Sequence, residues 1–152
     1  MISVENNAQW FEAMSSMKND KVRLILDETD RFPFRIRDEP ETFDLIVIDS
    51  HGYRYDCAAE ATGKLAPGGM IILDNSDWHP ATAGVLKKSG LIQVDFSGFK
   101  VTESHTSTTS VFLHRDFDFP TLQVRQPAYC VGAKPIVSGW DKPYAERPQA
   151  GA

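Results

Sequence analysis

Phe43-Asp44-Leu45-Ile46-Val47-Ile48-Asp49 and Leu65-Ala66-Pro67-Gly68-Gly69-Met70-Ile71-Ile72-Leu73-Asp74-Asn75 decide how this chain folds. Each contains an unbroken apolar run closed by an acid. A run such as Leu45-Ile46-Val47-Ile48, with no polar residue in it, is the pattern of a strand buried on both faces of a parallel sheet. Between the two, the spacing predicts a helix over about Tyr53 to Leu65, with Cys57, Ala58, Ala61 and Leu65 on one side. Pro67-Gly68-Gly69 then breaks it, and Met70 to Leu73 forms the next strand.

The same alternation extends outward in both directions. Upstream, Ile2-Ser3-Val4-Glu5 reads as a short strand. Trp10, Phe11, Met14 and Met17 fall on one face of a helix for which Asn7 is a suitable N-cap. Val22 to Leu26 is a second strand, followed by a charged loop containing Pro33 and Pro40. Downstream, Pro80 suits the first turn of a helix and Gly90 its C-terminal stop. Leu91 to Phe96 and Ser110 to Leu113 are two last strands with no helical pattern between them, expected as an antiparallel pair at one edge. Strands alternating with helices imply a mainly parallel sheet with helices on both faces.

Two regions are expected. Residues 1–115 carry the α/β pattern, and residues 116–152 hold five of the nine prolines together with Phe117, Phe119, Tyr129, Trp140 and Tyr144. Frequent proline excludes long helices, and the aromatics point to an extended arm that packs on its own domain or on a neighbour. The chain of 152 residues is long enough for a core of its own. Its net charge of −5 argues against nucleic-acid binding, which needs clustered Lys and Arg. No apolar stretch reaches membrane-spanning length, and no N-terminal signal pattern is present, so a cytoplasmic chain is expected. Cys57 and Cys130 form no CxxC pattern and are expected as free thiols.

The segments FDLIVID and LAPGGMIILDN, with Ser3-Val4-Glu5 before them and Thr108-Thr109-Ser110-Val111-Phe112-Leu113 after them, resemble successive motifs of class I S-adenosylmethionine-dependent methyltransferases. The resemblance covers residues 2 to about 115 and implies a Rossmann-like fold entered at the family's second strand. It implies S-adenosylmethionine as cofactor, with Glu5 on the ribose hydroxyls, Asp27 near the adenine, Asp49 beside the methionine end and substrate, and Asp74 ending the next strand. It also implies methyl transfer to a small-molecule acceptor, O-methylation in particular. Asp49, Asp74 and Asn75 resemble the magnesium ligands of catechol-type O-methyltransferases, an oxygen set suited to Mg2+. The family's first strand is central, between its second and fourth, and leads into a Gly-rich loop that these residues do not contain. Two sheet edges are therefore expected to be closed by direct pairing or by another chain, with a homodimer as one outcome.

Asp49 and His51 are the expected catalytic residues, since a His after the strand that delivers Asp49 can act as general base. His79 is the second candidate, beside Trp78. Two other readings stay open: a catalytically inactive relative serving as a binding or assembly module, and a metal-dependent hydrolase in which Asp49, His51, Asp74, Asp77 and His79 surround one ion.

Overall fold

The computed structural model describes residues 1–17, 19–100 and 104–119. The expected arm from residue 120 onward, including Cys130, lies outside the described residues. Two sheets form. β1 (Ile2–Glu5) pairs in parallel with β2 (Arg23–Leu26), and α1 (Ala8–Ser15) connects them. The second sheet has four strands in the order β3-β4-β6-β5, built from β3 (Phe43–Ile48), β4 (Leu65–Leu73), β5 (Ile92–Phe99) and β6 (Thr106–Leu113). β3 and β4 are parallel; β6 runs antiparallel to both β4 and β5, so the expected antiparallel pair is present with β5 at the edge. This is the α/β, Rossmann-like arrangement that the motif order implies.

Local chemistry explains most boundaries. Asn7 caps α1 as expected: its side-chain oxygen accepts from the amides of Gln9 and Trp10 at 2.9 and 3.1 Å. α2 (Arg54–Thr62) follows β3, and α3 (Pro80–Lys88) starts on the expected proline. Gly90, at φ 84°, takes the left-handed conformation that stops α3.

Several expectations change. The segment around Pro33 is not a loop but a 3-10 helix, Phe32–Asp38, with the proline in its first turn. Pro67-Gly68-Gly69 does not precede β4 but lies within it. A register shift opposite Phe43 and Leu45 absorbs the irregularity, and a Cβ on Gly69 would stand 2.8 Å from the Asp44 carbonyl oxygen. Glycine is thus required by the close approach of two backbones, and it needs no helix break. β5 and β6 also extend past their apolar runs, through Phe99 and back to Thr106, because ladder bonding between the strands tolerates Ser and Thr. The apolar face expected on α1 is only half-covered, with Trp10 66% and Met17 69% exposed.

The largest departure concerns β3. Ile48 is buried, but Leu45 and Val47 are 46% and 60% exposed, so the run is not covered on both faces. Neither does β1 close against it: the two strands remain in separate sheets, so direct pairing, one of the two expected closures, is not formed. The core lies on the other face, where Ile48, Ile71, Leu73 and Phe112 pack under Ala58 and Ala61 of α2 and Ala83 and Leu86 of α3.

Phe112 is fully buried at the centre of this cluster. Phe112→Ala is expected to lower unfolding free energy by about 3–5 kcal/mol, measured by urea denaturation, whereas Val47→Ala on the exposed face should change it by less than about 1 kcal/mol. Equal losses for the two would contradict a core confined to the α2–α3 face.

Candidate functional site

Parallel pairing of Ile48 with Leu73 brings the carboxyl ends of β3 and β4 side by side, and Asp49 and Asp74 leave the sheet together. Between them stands Arg54, the first residue of α2. Its guanidinium lies 2.6 Å from Asp49 Oδ1 and 3.9 Å from Asp74 Oδ2, and it also donates to the Ser50 carbonyl oxygen at 2.5 Å. The Arg54 side chain is only 12% exposed, and its Nε is buried without a hydrogen-bond partner. Partial desolvation raises the Asp49 carboxyl pKa, and the neighbouring Asp74 charge adds to this, while Arg54 pulls in the opposite direction.

Each neighbour of this pair is held in place. Asp74 Oδ1 accepts from Thr109 Oγ1 at 2.9 Å. Asn75 sits at φ 51°; the amide orientation that satisfies both neighbours has Nδ2 donating to Asp74 Oδ2 at 2.5 Å and Oδ1 accepting from Lys100 Nζ at 3.0 Å. The following loop is tied to β6, since Ser76 N donates to the Thr108 carbonyl at 2.8 Å and Thr108 N donates to Asp77 Oδ1 at 2.9 Å. That fixes where Trp78 and His79 emerge. Trp78 rests against His105 at a ring separation of 5.5 Å, and the Lys100 ammonium lies 5.4 Å from the Trp78 ring centre.

The starts of α2 and α3 border an open pocket of about 390 Å³ lined by Tyr53, Arg54, Tyr55, Trp78, His79 and Pro80 among others. Such a volume is at the small end for small-molecule sites. Tyr53 adopts the left-handed conformation at φ 53°, uncommon for a residue with a side chain, and its hydroxyl donates to Asp30 at 3.0 Å. His79 is half-buried at this pocket. Burial, and then the Arg54 charge, hold its imidazole below the ordinary histidine value, so the neutral form is favoured.

The other expected residues occupy different settings. Glu5 ends β1; its Oε1 accepts from Asn7 N at 2.8 Å, and its second oxygen has no bond within the described residues. Asp27 is buried, accepting from Thr29 N at 3.0 Å and Arg35 Nε at 2.5 Å. Those bonds, Thr29's first, lower its pKa, and they order the turn into the 3-10 helix. His51 is exposed, and its carbonyl oxygen accepts from Asn6 Nδ2 at 3.2 Å. The structure therefore brings Asp49, Asp74 and Asn75 together, with His79 nearby and His51 to one side.

The hydrolase arrangement is not formed. Among the described residues no three His, Cys, Asp or Glu side chains gather in a way that could hold a metal ion, and Asp77 is engaged with the β6 backbone. At the expected magnesium trio, Arg54 already supplies positive charge between the two acids. Cys57, one turn into α2, is half-buried with its thiol pKa pushed up by burial, an inert setting. Arg54 stands in no motif of the sequence. Its signal is modest, a basic residue one helical turn past the strand-ending acid, and only folding places it over Asp74.

No protein-family model and no curated protein sequence matches the chain. Solved structures do match. One is the precorrin-6Y C5,15-methyltransferase of Geobacter metallireducens, with TM-score 0.55 and 16% identity over 74% of this chain and 65% of that one. The O-methyltransferase of Bacillus cereus, solved with S-adenosylhomocysteine, matches with TM-score 0.58 and 17% identity over 75% and 62%. Spermidine synthase of Thermotoga maritima matches with TM-score 0.58 and 14% identity over 77% and 47%. The chain thus has the Rossmann-like fold of class I S-adenosylmethionine-dependent methyltransferases, and spans less than two thirds of the length of these three proteins. No described helix is long and apolar enough to cross a membrane.

Two outcomes follow from Arg54 and His79. In Arg54→Gln, the Asp49 pKa is expected to move further upward, read by carbon-detected NMR titration of its carboxyl; an unchanged or lower value would mean that the pairing is not formed in solution. Because the unfolded chain binds a proton on His79 more readily than the folded one, stability should decline as pH falls below about 6.5. His79→Gln should flatten that part of the stability profile.

Proposed function

We propose that the chain forms the acceptor side and ribose-binding side of an S-adenosylmethionine-dependent methyltransferase acting on a small molecule at a hydroxyl group. The observation that carries this reading is the cluster at the carboxyl ends of β3 and β4. There two acids, a buried arginine and a histidine held neutral border an aromatic-lined pocket within a methyltransferase-type fold.

The residues present fit the ribose end of the cofactor. The Glu5 carboxylate is anchored through one oxygen and retains acceptor capacity for a diol. When bound, S-adenosylmethionine supplies a methyl group on a positively charged sulfur. The residues of this chain then have separate tasks. Tyr53, Tyr55 and Trp78 offer flat aromatic surfaces against which a small acceptor can be oriented. His79, favoured neutral, accepts the hydroxyl proton at an imidazole nitrogen. Arg54 restrains Asp49 and Asp74, and Asp27 acts from behind by ordering the turn after β2. His51 is less suited to the base role, because it stands exposed in the loop after β3.

Calorimetric titration with S-adenosylhomocysteine, with and without magnesium, tests the reading. Binding is expected to weaken at least tenfold in Glu5→Ala, in line with loss of a hydrogen bond to a charged group, and to be unaffected by magnesium. In acceptor turnover, His79→Gln should lower kcat by about 10²–10⁴ and His51→Gln by far less, and the acid limb of kcat should lie below the ordinary histidine value. No cofactor binding by a folded sample would favour instead a binding or assembly module that keeps the sheet without the catalysis.

A further inference from the structure

Asp49, Asp74 and Asn75 carry the oxygen donors of a magnesium site, yet in this chain each is engaged by a group of the protein itself. The Arg54 guanidinium stands 2.6 Å from Asp49 Oδ1 and 3.9 Å from Asp74 Oδ2. Its second terminal nitrogen donates to the Ser50 carbonyl at 2.5 Å, and only 12% of the side chain is exposed. Two nitrogens of one rigid plane are thus anchored, so the charge cannot leave the acids without breaking both bonds.

The remaining donors are committed as well. Asp74 Oδ1 accepts from Thr109 Oγ1 at 2.9 Å, and Asp74 Oδ2 accepts from Asn75 Nδ2 at 2.5 Å. The amide therefore shows its nitrogen to the acid and its oxygen to Lys100 Nζ, 3.0 Å away. Asn75 is buried with its backbone at φ 51°, so its neighbours rather than solvent set the orientation of the amide. Lys100 directly follows β5, and its ammonium also lies 5.4 Å from the Trp78 ring centre.

Two carboxylates, one guanidinium and one ammonium make a cluster without net charge. Magnesium demands near-octahedral oxygen ligands at about 2.0–2.1 Å. A carboxylate oxygen that already accepts an N–H can serve it only if that donor leaves. The ion would also set two further positive charges beside Arg54 and Lys100, in partly buried surroundings where repulsion is weakly screened.

We infer that Arg54 and Lys100 take the place of a divalent cation at Asp49, Asp74 and Asn75, and that these two side chains keep magnesium out. The trio is then a clasp, built from the residue types of a metal site, that joins the carboxyl ends of β3 and β4 to the end of β5. Its charge balance is the same whatever reaction the site performs.

Mn2+ is the probe, since it suits the same oxygen ligands and broadens nearby nuclear resonances. In the unaltered chain, the carboxyl carbons of Asp49 and Asp74 are expected to show no saturable broadening below about 1 mM Mn2+, the weak end of oxygen-ligated sites. In the Arg54→Gln, Lys100→Met double variant, both signals should saturate at a concentration lower by roughly tenfold or more. Added magnesium should reverse that broadening, and a further Asp74→Asn change should abolish it. Lys100→Met alone should give a smaller gain with Arg54 still in place, and it carries the comparison where the double variant does not fold. Saturation of the unaltered chain below about 1 mM would overturn the inference, because the trio would then accept a metal beside its own cations. A folded double variant without gain would overturn it too, since something other than the two cations would be excluding the ion. An unchanged Lys100→Met profile would overturn the share assigned to Lys100.

Discussion

Everything at the carboxyl edge of this protein depends on the parallel pairing of β3 with β4. Because Ile48 stands beside Leu73, the next residue of each strand is an acid, and the two carboxylates emerge as neighbours. Like charges that close resist joint ionisation, and Arg54 offsets them from the first turn of α2. The same guanidinium contributes to holding His79 neutral. One backbone register therefore contributes, through Arg54, to the electrostatics of a group at the start of a different helix, whose own burial is the larger cause.

The core and the site share a single layer. Ala58 and Ala61 are small enough to bring α2 close to β3 and β4, and their burial brings Arg54 over the strand ends. The polar loop after β4 is held by main-chain bonds to Thr108, with the buried hydroxyl of Ser110 donating to Asp95 at 2.6 Å beneath it. A fully buried hydroxyl with its bond made stiffens its surroundings, and here the stiffened segment presents Trp78 and His79. On the opposite face nothing comparable covers Leu45 and Val47 among the described residues.

How much of this was legible in advance varies with the range of the interaction. The β3 and β4 runs, the Asn7 cap and the Pro80 start rest on chemistry within a few residues, and each is found where the spacing placed it. The 3-10 helix has no local signature, because Pro33 reads as a loop residue, while its role here is to start a turn that Asp27 and Arg35 lock. Pro67-Gly68-Gly69 misled for the opposite reason: a breaker inside a strand is tolerated where a neighbouring backbone passes close.

The amino-acid order by itself determined the alternation of elements, the acids that end the strands and the family resemblance they carry, because each follows from neighbours along the chain. Only the tertiary structure decided which residues of that set share a site. Arg54 reaches Asp74 across twenty positions of sequence, His79 gains its neutrality from burial and from Arg54, and Asp27 turns inward to its own loop. The exposure of Leu45 and Val47 was likewise invisible in the run that contains them. An apolar side chain states what it can bury against, and whether a partner is present is settled by packing alone.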